Sequence, residues 1–417
     1  MDTLVLTADQ QAAKDAFTSF LLDPNESVFV LSGFSGTGKS TLVKDLIDGL
    51  PKLMKTAKLV DPTSDMRWDI QLTATTNKAA ETFSLITGQD VATIHSYLGL
   101  RVLRDPKTQT ASVVAGHRAT VKEQMLLFID EASFIDKNLL GMIFKLTSNC
   151  KIVFIGDPAQ LTPVKSSGTP VFNAGFSGSQ LRSVVRQAEG NPIIDLSTKF
   201  RGTVETGEFF SFTPDGTHIK HMSRSDFDDA IKDEFTDIGW TYSRSKVLAW
   251  TNKTVIAYNK AIRNVVKGDP EFKVGDYAVC NKYVYSRKYS IKTDQLVHIT
   301  DISPETTAEY DVIGNYFTVD NAFVGFVPKN NADRVAALKA AKADEDYGFI
   351  ERVSNEWLDL RAAYACTINK AQGSTYDKVF IDLDDIKKCN SANQMARMLY
   401  VGVSRARTNV YFTGDLV

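Results

Sequence analysis

The chain has 417 residues, of which 43% are hydrophobic and 24% are charged, and its formal net charge is −2. This is the composition of a soluble globular protein with apolar material for more than one core, and it excludes fibrous and low-complexity classes. The small net charge gives no overall electrostatic sign of a nucleic-acid partner, although a basic groove can exist locally.

The four cysteines are scattered singly along the chain. Such spacing fits a reducing compartment and argues against a structural zinc site. The amino-terminal segment lacks the basic and apolar regions of a secretion signal, and no apolar run approaches membrane-spanning length. We therefore expect a cytoplasmic protein with no membrane partner.

The first strong pattern begins where an apolar run, residues 28–31, leads into the stretch GFSGTGKS. The stretch matches the phosphate-binding pattern G-x-x-x-x-G-K-[ST], and helical spacing follows it. Its glycines let backbone N–H groups approach phosphate, Lys39 reaches the β- and γ-phosphates, and Ser40 is the predicted magnesium ligand. The alternative is a glycine-rich turn without a ligand. The predicted ATP-binding residues of the loop are Gly36, Thr37, Gly38, Lys39, Ser40 and Thr41.

A β-hairpin around a polar turn is predicted next, within GLRVLRDPKTQTASVVAG. The apolar run Met125 to Ile129 then ends in Asp130 and Glu131, as expected of a buried parallel strand. Asp130 is predicted to hold magnesium through its water shell, and Glu131 to orient and activate the attacking water. Alone, the pair could be acidic helix caps, but the upstream phosphate loop favours the catalytic interpretation.

A third strand ends in Gly156-Asp157 and is followed by Gln160. A glutamine at a strand end can sense the γ-phosphate through the catalytic water, whereas a lone glutamine is more often a hydrogen-bonded loop residue. These strand ends predict an α/β domain that hydrolyses a phosphoryl bond, and they do not say what the hydrolysis drives.

The second half of the chain begins with two strand-and-helix patterns, HIKHMSRSDFDDAIKDEF and KVLAWTNKTVIAYNKAIRN. Short β-type runs and one Ala-rich helical segment follow between residues 265 and 359. Within them, an aromatic and basic face is expected if the segment is extended, either to stack on a single strand or as a half-exposed strand or mobile loop. This face comprises Tyr283, Tyr285, Arg287 and Tyr289.

Eight motifs occur in one order along most of the chain. This series resembles that of superfamily 1 helicases of the RecD-like, 5′-to-3′ class. The motifs are GFSGTGKST, LTATTNKAAETF, ATIHSYLGL, FIDEAS, GDPAQLTPV, LRSVVRQAEGNPII, TINKAQGST and LYVGVSRART.

The resemblance implies an α/β fold of two tandem RecA-like P-loop domains with parallel sheets and ATP between them. It also implies a β-hairpin insertion in the first domain, acting as the pin that splits the duplex, and an SH3-like β-barrel insertion in the second. An ordinary surface hairpin is the alternative for the pin. The predicted bounds are 1–98 and 118–177 for the first core, 99–117 for the hairpin, 178–264 and 360–417 for the second core, and 265–359 for the barrel insertion.

Further site residues come from the resemblance alone. Gln10 looks like the adenine-reading glutamine, although Thr7 to Gln10 is also a capping box. Arg186 and Arg405 look like two arginines that the second core supplies to the γ-phosphate, with a salt bridge as the alternative for each. Arg407, two residues later, is the alternative assignment for the role given to Arg405.

The DNA contacts implied by the resemblance are polar side chains that follow strands. For His95 a buried packing role is equally open. In TINKAQGST, Gln372 and Gly373 are implied near ATP, and Asn369 stands where the family usually has His, so it offers no ring to stack on a base. The implied DNA-binding residues are Thr75, Asn77, Lys78, Thr93, His95, Thr367, Asn369, Ser374 and Thr375.

The function implied is that of an ATP-dependent DNA helicase that moves 5′ to 3′ on single strands, with ATP and Mg²⁺ as cofactors. Its partners would be single-stranded DNA, fork or tailed duplexes, and a single-strand-binding protein or replisome component, and a monomer is expected. One alternative is a translocase that displaces bound proteins with little strand separation. The other is a non-motor nucleotide switch that binds a protein partner.

Overall fold

The chain divides into two compact units. The first unit contains Met1–Ser211 and Ser391–Ser404, and the second contains Phe212–Asn390 and Arg405–Val417. None of the described helices combines the length and apolar composition needed to cross a lipid bilayer. The structure is a computed structural model that describes residues 5–60, 68–104, 111–162, 169–183, 190–286 and 288–416.

Strands and helices alternate along the first unit, as its apolar runs predict. Its strands are β1 (Val28–Gly33), β2 (Asp69–Ala74), β3 (Ala92–Thr93), β4 (Leu100–Arg104), β5 (Ala111–Ala115), β6 (Lys122–Glu123), β7 (Met125–Asp130), β8 (Thr147–Ser148), β9 (Lys151–Gly156) and β10 (Ser177–Leu181). Its helices up to residue 206 are α1 (Ala8–Leu22), α2 (Lys39–Val60), α3 (Asn77–Thr87), α4 (Ile94–Tyr97), α5 (Lys137–Lys145), α6 (Pro170–Asn173) and α7 (Pro192–Thr206).

A parallel sheet forms the centre of the first unit, with six strands among the described residues in the order β10-β1-β9-β7-β2-β3. Alternate residues of its strands enter two separate apolar clusters, one on each face. In β1, Phe29 and Leu31 join the cluster of α1, α2 and α3, whereas Val28 and Val30 join that of α4, α5 and α6. Burial on both faces explains why these strands read as continuous apolar runs.

The carboxyl ends of β1, β2, β7 and β9 meet at one edge of this sheet because the strands are parallel and adjacent. In open α/β sheets this edge is where ligands bind. The edge brings together the phosphate loop, the segment that begins at Thr75, the Asp130-Glu131 pair and the Gly156-Asp157 turn. The fold therefore assembles in one place the strand ends that the sequence singled out.

In the segment of the predicted hairpin, β4 and β5 pair antiparallel, in register from Leu100 opposite Ala115 to Arg104 opposite Ala111. The turn between the two strands, residues 105–110, lies outside the described residues. The role of this pair as a strand-separating pin stays a prediction.

The second unit has its own parallel sheet, in the order β11-β23-β22-β12-β21 among the described residues. Its strands are β11 (Ile219–Met222), β12 (Ser245–Ala249), β13 (Tyr277–Cys280), β14 (Val284–Tyr285), β15 (Ser290–Ile291), β16 (Leu296–Ile302), β17 (Thr306–Ala308), β18 (Val312–Val319), β19 (Phe323–Pro328), β20 (Leu360–Arg361), β21 (Ala365–Thr367), β22 (Tyr376–Asp382) and β23 (Ala406–Thr413). Its helices are α8 (Arg224–Thr236), α9 (Asn252–Lys267), α10 (Asn331–Ala343), α11 (Tyr347–Asn355), α12 (Ile368–Ala371) and α13 (Leu383–Ile386).

Between α9 and β21 the chain changes to an antiparallel sheet with the order β17-β18-β16-β13-β20, and β19 pairs with β18. The chain is therefore β-rich here, but the predicted bounds of 265 and 359 do not match the elements, because α9 continues to Lys267 and β20 lies beyond residue 359. The Ala-rich stretch forms two helices, α10 and α11. Its description as an SH3-like barrel stays a prediction.

Two predicted core boundaries differ from the packing of the chain. A boundary at residue 178 would cut β10, which pairs with β1 through Phe29 opposite Ser177 to Gly33 opposite Leu181. The division lies instead between Ser211 and Phe212. The last helix, α14 (Ala392–Ser404), belongs to the first unit, although the sequence prediction assigned residues 360–417 to the second core.

Candidate functional site

The phosphate-binding loop joins β1 to α2 in the way the sequence pattern requires. Gly36 has φ of 83° and Gly38 has φ of 75°, a left-handed conformation that is open to glycine without steric cost. The Lys39 ammonium donates to the carbonyl oxygens of Gly33 at 2.8 Å and Phe34 at 3.0 Å. The lysine charge therefore lies over the loop, where an incoming phosphate group could take over its hydrogen bonds.

Gln10 lies against this loop and is 4% exposed. Its Nε2 donates to the carbonyl oxygen of Thr37 at 3.1 Å, and its Oε1 accepts from the backbone N–H of Thr7 at 3.0 Å. The capping-box interpretation is thereby confirmed, since the Thr7 hydroxyl also accepts from the Gln10 backbone N–H at 3.3 Å. The adenine contact of Gln10 stays a prediction.

Asp9, beside Gln10, ties the start of α1 to the end of β10. Its carboxylate accepts from the backbone N–H groups of Arg182 at 2.6 Å and Ser183 at 2.8 Å. Partial burial opposes ionisation, but these hydrogen bonds prevail and lower the pKa of Asp9 to about 2. The carboxylate is therefore charged at neutral pH and anchors the segment that carries Gln10.

The acidic pair lies at the carboxyl end of β7, and the backbone of its second residue has an unusual conformation. Glu131 has φ of 54° and ψ of 45°, which is strained for a residue with a side chain. Thr75, at the end of the neighbouring strand, holds this turn, because its N–H donates to the Asp130 carbonyl at 3.1 Å and its hydroxyl donates to the Glu131 carbonyl at 3.0 Å. Strain that is held by neighbouring contacts is typical of functional sites.

Burial of the Asp130 carboxyl group, together with the neighbouring Glu131 carboxylate, raises the pKa of Asp130 to about 7. The Lys39 ammonium acts in the opposite direction, which shows that the loop lysine and the acidic pair share one electrostatic environment. Two adjacent carboxyl groups repel each other when ionised, and a bound divalent cation relieves that repulsion.

The oxygen donors at this edge fit a magnesium ion. Ser40, in the first turn of α2, offers a hydroxyl, and Asp130 offers a carboxylate. Mg²⁺ binds through one or two carboxylates together with water and substrate phosphates rather than in an all-protein cage. Consistently, within the described ranges no cluster of three or more His, Cys, Asp or Glu side chains could hold a metal alone.

The turn after β9 is buried and ordered by Asp157, which is fully buried. Asp157 Oδ1 accepts from the Ala159 backbone N–H at 2.9 Å, and Oδ2 accepts from Gln160 Nε2 at 3.2 Å. Gln160 is 5% exposed, and its Oε1 has no hydrogen-bond partner among the described residues. A buried acceptor without a partner requires an explanation, and a catalytic water is one candidate.

An arginine that the sequence interpretation missed lies beside the phosphate loop. The guanidinium carbon of Arg201, in α7, is 3.8 Å from the centre of the Phe34 ring. Its buried Nε has no hydrogen-bond partner among the residues that the structure describes. The predicted Arg186 lies outside those residues. A tertiary contact revealed Arg201, which in the sequence is an arginine directly after the amphipathic stretch PIIDLSTKF.

Several predicted DNA-binding side chains already have local partners. The Thr75 hydroxyl donates to the Glu131 carbonyl oxygen. The Thr93 hydroxyl, as the N-cap of α4, accepts from the Ser96 backbone N–H at 3.2 Å. The Lys78 ammonium forms an ion pair with Glu81 at 3.0 Å. Asn77 is the half-buried first residue of α3. The DNA role of this set stays a prediction, and Lys78 is its most exposed member.

His95 is partly buried in α4. Burial lowers its pKa, although Asp136 nearby acts in the opposite direction. At neutral pH the imidazole is therefore uncharged. A neutral ring can pack or stack but adds no positive charge to a phosphate contact.

In the second unit, TINKAQGST forms the end of β21, helix α12 and the turn after it. Thr367 is the N-cap of α12, and its hydroxyl accepts from the Lys370 backbone N–H at 3.3 Å. Gln372 is buried, and Gly373 has φ of 78°. Asn369, Ser374 and Thr375 are partly exposed.

Arg405 is 6% exposed and donates to the Ser374 carbonyl oxygen at 3.2 Å. Arg407 is exposed instead and pairs with Asp377 at 3.2 Å, so the two arginines have different surroundings. The Lys370 ammonium pairs with Asp294 and Asn281 of the β-rich segment at 2.5 and 2.6 Å. The polar motif is thus fixed both to Arg405 and to that segment.

The aromatic face predicted in the β-rich segment is exposed. Tyr283, Tyr285 and Tyr289 are 52%, 42% and 52% exposed, and the first two rings are 5.8 Å apart. Arg287 lies outside the described residues. Exposed rings around a short strand pair permit stacking on bases, and the DNA contact of this face stays a prediction.

Comparison with known protein families gives two matches along the chain. Residues 5–223, more than half of the chain, match the family model described as an AAA domain. Residues 362–413 match the model of a UvrD-like helicase C-terminal domain.

Individual proteins are similar over nearly the whole chain. The ATP-dependent DNA helicase Dda of Enterobacteria phage T4 is 26% identical over 436 residues, which cover 92% of this chain and 93% of that protein. The ATP-dependent RecD2 DNA helicase of Deinococcus radiodurans is 30% identical over 403 residues, which cover 93% of this chain and 47% of that protein. A crystal structure of Pif1 helicase from Bacteroides in complex with ADP-AlF3 and ssDNA has a similar fold, with a TM-score of 0.52. The sequence identity is 17%, and the match covers 100% of this chain and 94% of that chain.

Proposed function

Because this chain belongs to the AAA domain family and to the RecD-like class of superfamily 1 helicases, we propose that it is an ATP-dependent DNA helicase that translocates 5′ to 3′ on single-stranded DNA and separates duplex DNA. The observation that carries the proposal is the edge of the first sheet, where Lys39, the Asp130-Glu131 pair and Gln160 follow neighbouring parallel strands. Phosphoryl transfer needs this combination of a phosphate cradle, acidic groups and a water-orienting amide.

Each residue of that edge has a separate role in the proposed hydrolysis. Lys39 leaves the loop carbonyls to meet the β- and γ-phosphates, and Ser40 and Asp130 would hold Mg²⁺. When bound, the metal neutralises charge on the phosphates. Glu131 accepts one proton of the attacking water, and Gln160 Oε1, which has no partner among the described residues, accepts a hydrogen bond from the other.

Positive charge for the γ-phosphate comes from arginine. Arg201 is proposed for this role because its guanidinium lies against the loop residue Phe34, and Arg405 is proposed from its motif in the second unit. A guanidinium stays charged and presents a planar fork that matches phosphate oxygens. Charge stabilisation of this kind acts on the transition state and therefore on turnover.

The hydrolysis is proposed to drive movement along DNA. Gln372 and Gly373 respond to the nucleotide. The other polar residues of TINKAQGST, together with the polar residues at the ends of β2 and β3, hold the DNA backbone. Contacts to phosphates carry little sequence information, so binding without sequence preference is expected. The proposed setting is phage replication or recombination in the host cytoplasm, with the protein acting as a monomer beside a single-strand-binding protein or replisome component.

Single-stranded DNA is expected to stimulate ATP hydrolysis, and duplexes with a 5′ tail are expected to be unwound in preference to those with a 3′ tail. The measurements are the ATPase rate against DNA concentration and strand separation of the two tailed duplexes, with a blunt duplex as control. ATP hydrolysis that no nucleic acid changes would point to a nucleotide switch instead. Unwinding that needs a 3′ tail would refute the proposed direction.

Shortening the β4–β5 hairpin is expected to remove unwinding and leave DNA-stimulated ATP hydrolysis largely intact. The variant replaces residues 103–112 by a two-residue Asn-Gly turn, which suits the antiparallel pairing of Val102 with Val113. The hairpin is a local pair, so its loss leaves the parallel sheet unaltered. Unchanged unwinding by the shortened protein would exclude the pin role, and single-strand affinity serves as the control for intact DNA binding.

A further inference from the structure

Helix α14 packs within the first unit and places two side chains on the turn that carries Gln160. Tyr400, which is 2% exposed, donates its hydroxyl to Asp157 Oδ2 at 2.6 Å. Arg397, one helical turn earlier, donates to the carbonyl oxygens of Pro158 at 2.7 Å and Gln160 at 2.5 Å. Residues three apart lie on one face of a helix, so a single face of α14 holds the whole turn.

The same tyrosine also contacts the phosphate loop. Its hydroxyl oxygen accepts a hydrogen bond from the Ser35 backbone N–H at 2.9 Å. A phenolic hydroxyl can donate once and still accept, and here it does both. Tyr400 therefore links the loop, through Asp157, to Gln160, in a buried environment where hydrogen bonds between polar groups strengthen one another.

The orientation of the Gln160 amide follows from this chain of contacts. Gln160 Nε2 donates to Asp157 Oδ2 at 3.2 Å, so the NH₂ side of the amide faces the Asp157 carboxyl group. The Gln160 Oε1 then points away from Asp157 and has no partner among the described residues. Loss of the tyrosine donor leaves Asp157 Oδ2 with one donor fewer, so the Asp157 side chain, and with it the Gln160 amide, is held less firmly.

We propose that Tyr400 is a positioning residue for ATP hydrolysis, which couples the phosphate-binding loop to Gln160 through Asp157. The proposal rests on the hydrolytic function proposed above. A shift of the Ser35 N–H when phosphate enters the loop changes the hydrogen bonding of Tyr400 and, through Asp157, the direction of the Gln160 amide. Because Arg405 follows α14 directly in sequence, the helix that orients Gln160 is covalently continuous with the arginine proposed for the second unit.

The test replaces Tyr400 by Phe, which keeps the buried ring and removes only the hydroxyl. We expect kcat for DNA-stimulated ATP hydrolysis to fall about tenfold while KM for ATP changes less than about twofold, because orientation of the water acts after binding. Gln160→Ala should lower kcat by at least as much. The double variant should be no slower than Gln160→Ala alone, since residues that act as one unit are not additive.

Tyr364→Phe is the matched control, because Tyr364 is 3% exposed and packs by its ring against Phe235 and Trp240 in the second unit. It should leave kcat unchanged. A normal kcat in Tyr400→Phe beside a slow Gln160→Ala would overturn the proposal, as would losses that multiply in the double variant.

Hydrogen exchange of nucleotide-free protein separates this inference from the proposed function. Exchange of the Ser35 amide should be faster in Tyr400→Phe than in the wild type, because its acceptor is gone. Equal exchange rates would refute the contact itself. A wild-type protein that does not hydrolyse ATP would refute the proposed function and the positioning role of Tyr400, whatever the exchange result.

Discussion

Replacing Glu131 by Gln is expected to lower the ATP turnover of the DNA-saturated protein by about 10²–10⁴-fold, the range for loss of a positioned general base. Gln has nearly the shape of Glu but cannot accept a proton from the attacking water. The backbone of the turn should survive, because Thr75 holds it through the carbonyl oxygens of residues 130 and 131 rather than through the Glu131 side chain. Single-turnover and steady-state ATP hydrolysis measure the effect.

Nucleotide binding by this variant should remain, since the Lys39 loop is untouched. Binding of a fluorescent ATP analogue checks that point. Glu123→Gln is the matched control, because Glu123 is exposed in the same unit, just before β7, and it should turn over at the wild-type rate. Glu131→Gln activity above about a tenth of the wild type would remove Glu131 from the role of general base.

The parts of the site that the sequence predicts well are those set by neighbouring residues in the chain. The phosphate loop and the acidic pair each need only a buried strand and the turn after it, and both are signalled by apolar runs. The parallel order of β1, β9 and β7 then brings these strand ends to one edge. Local pattern and fold class together were sufficient to predict their proximity.

Contacts between distant segments had no such signal. The sequence placed residues 360–417 in one core, yet α14 packs in the first unit and its Tyr400 reaches Asp157 and Ser35. The resemblance implied a DNA contact for Thr75, which stays a prediction, and no pattern in the sequence indicated that its hydroxyl supports the strained Glu131 turn. Hydrophobic periodicity tells which face of an element is buried but not which distant element covers it.

The choice between Arg186 and Arg201 as the arginine for the γ-phosphate also depends on a contact between distant segments. Arg186 was predicted from a motif, and it lies outside the described residues. Arg201 stands out because a cation lies over the ring of a phosphate-loop residue, and because no carboxylate in the described part of the chain forms an ion pair with it. A half-buried guanidinium that has no anionic partner among the described residues, at a predicted phosphate site, is suited to receive one from the ligand.

Replacing Arg201 by Met is accordingly expected to lower DNA-stimulated kcat by about a hundredfold or more, as for loss of an arginine that stabilises phosphoryl transfer. Met keeps apolar contact with Phe34 and removes the charge. The lost cation–π contact is worth only about 0.5–2 kcal/mol of folding stability, so the unit should stay folded. Turnover at saturating ATP and thermal melting, measured on the same preparation, separate the two effects.

Two further variants make this test decisive. Arg201→Lys keeps the charge without the planar fork and should recover part of the lost turnover, because a single ammonium cannot reproduce bidentate contact with phosphate oxygens. Arg186→Met is the matched control for the competing assignment. If Arg186→Met loses turnover while Arg201→Met keeps it, the motif-based prediction holds, and the position of Arg201 over Phe34 is a packing contact of the loop.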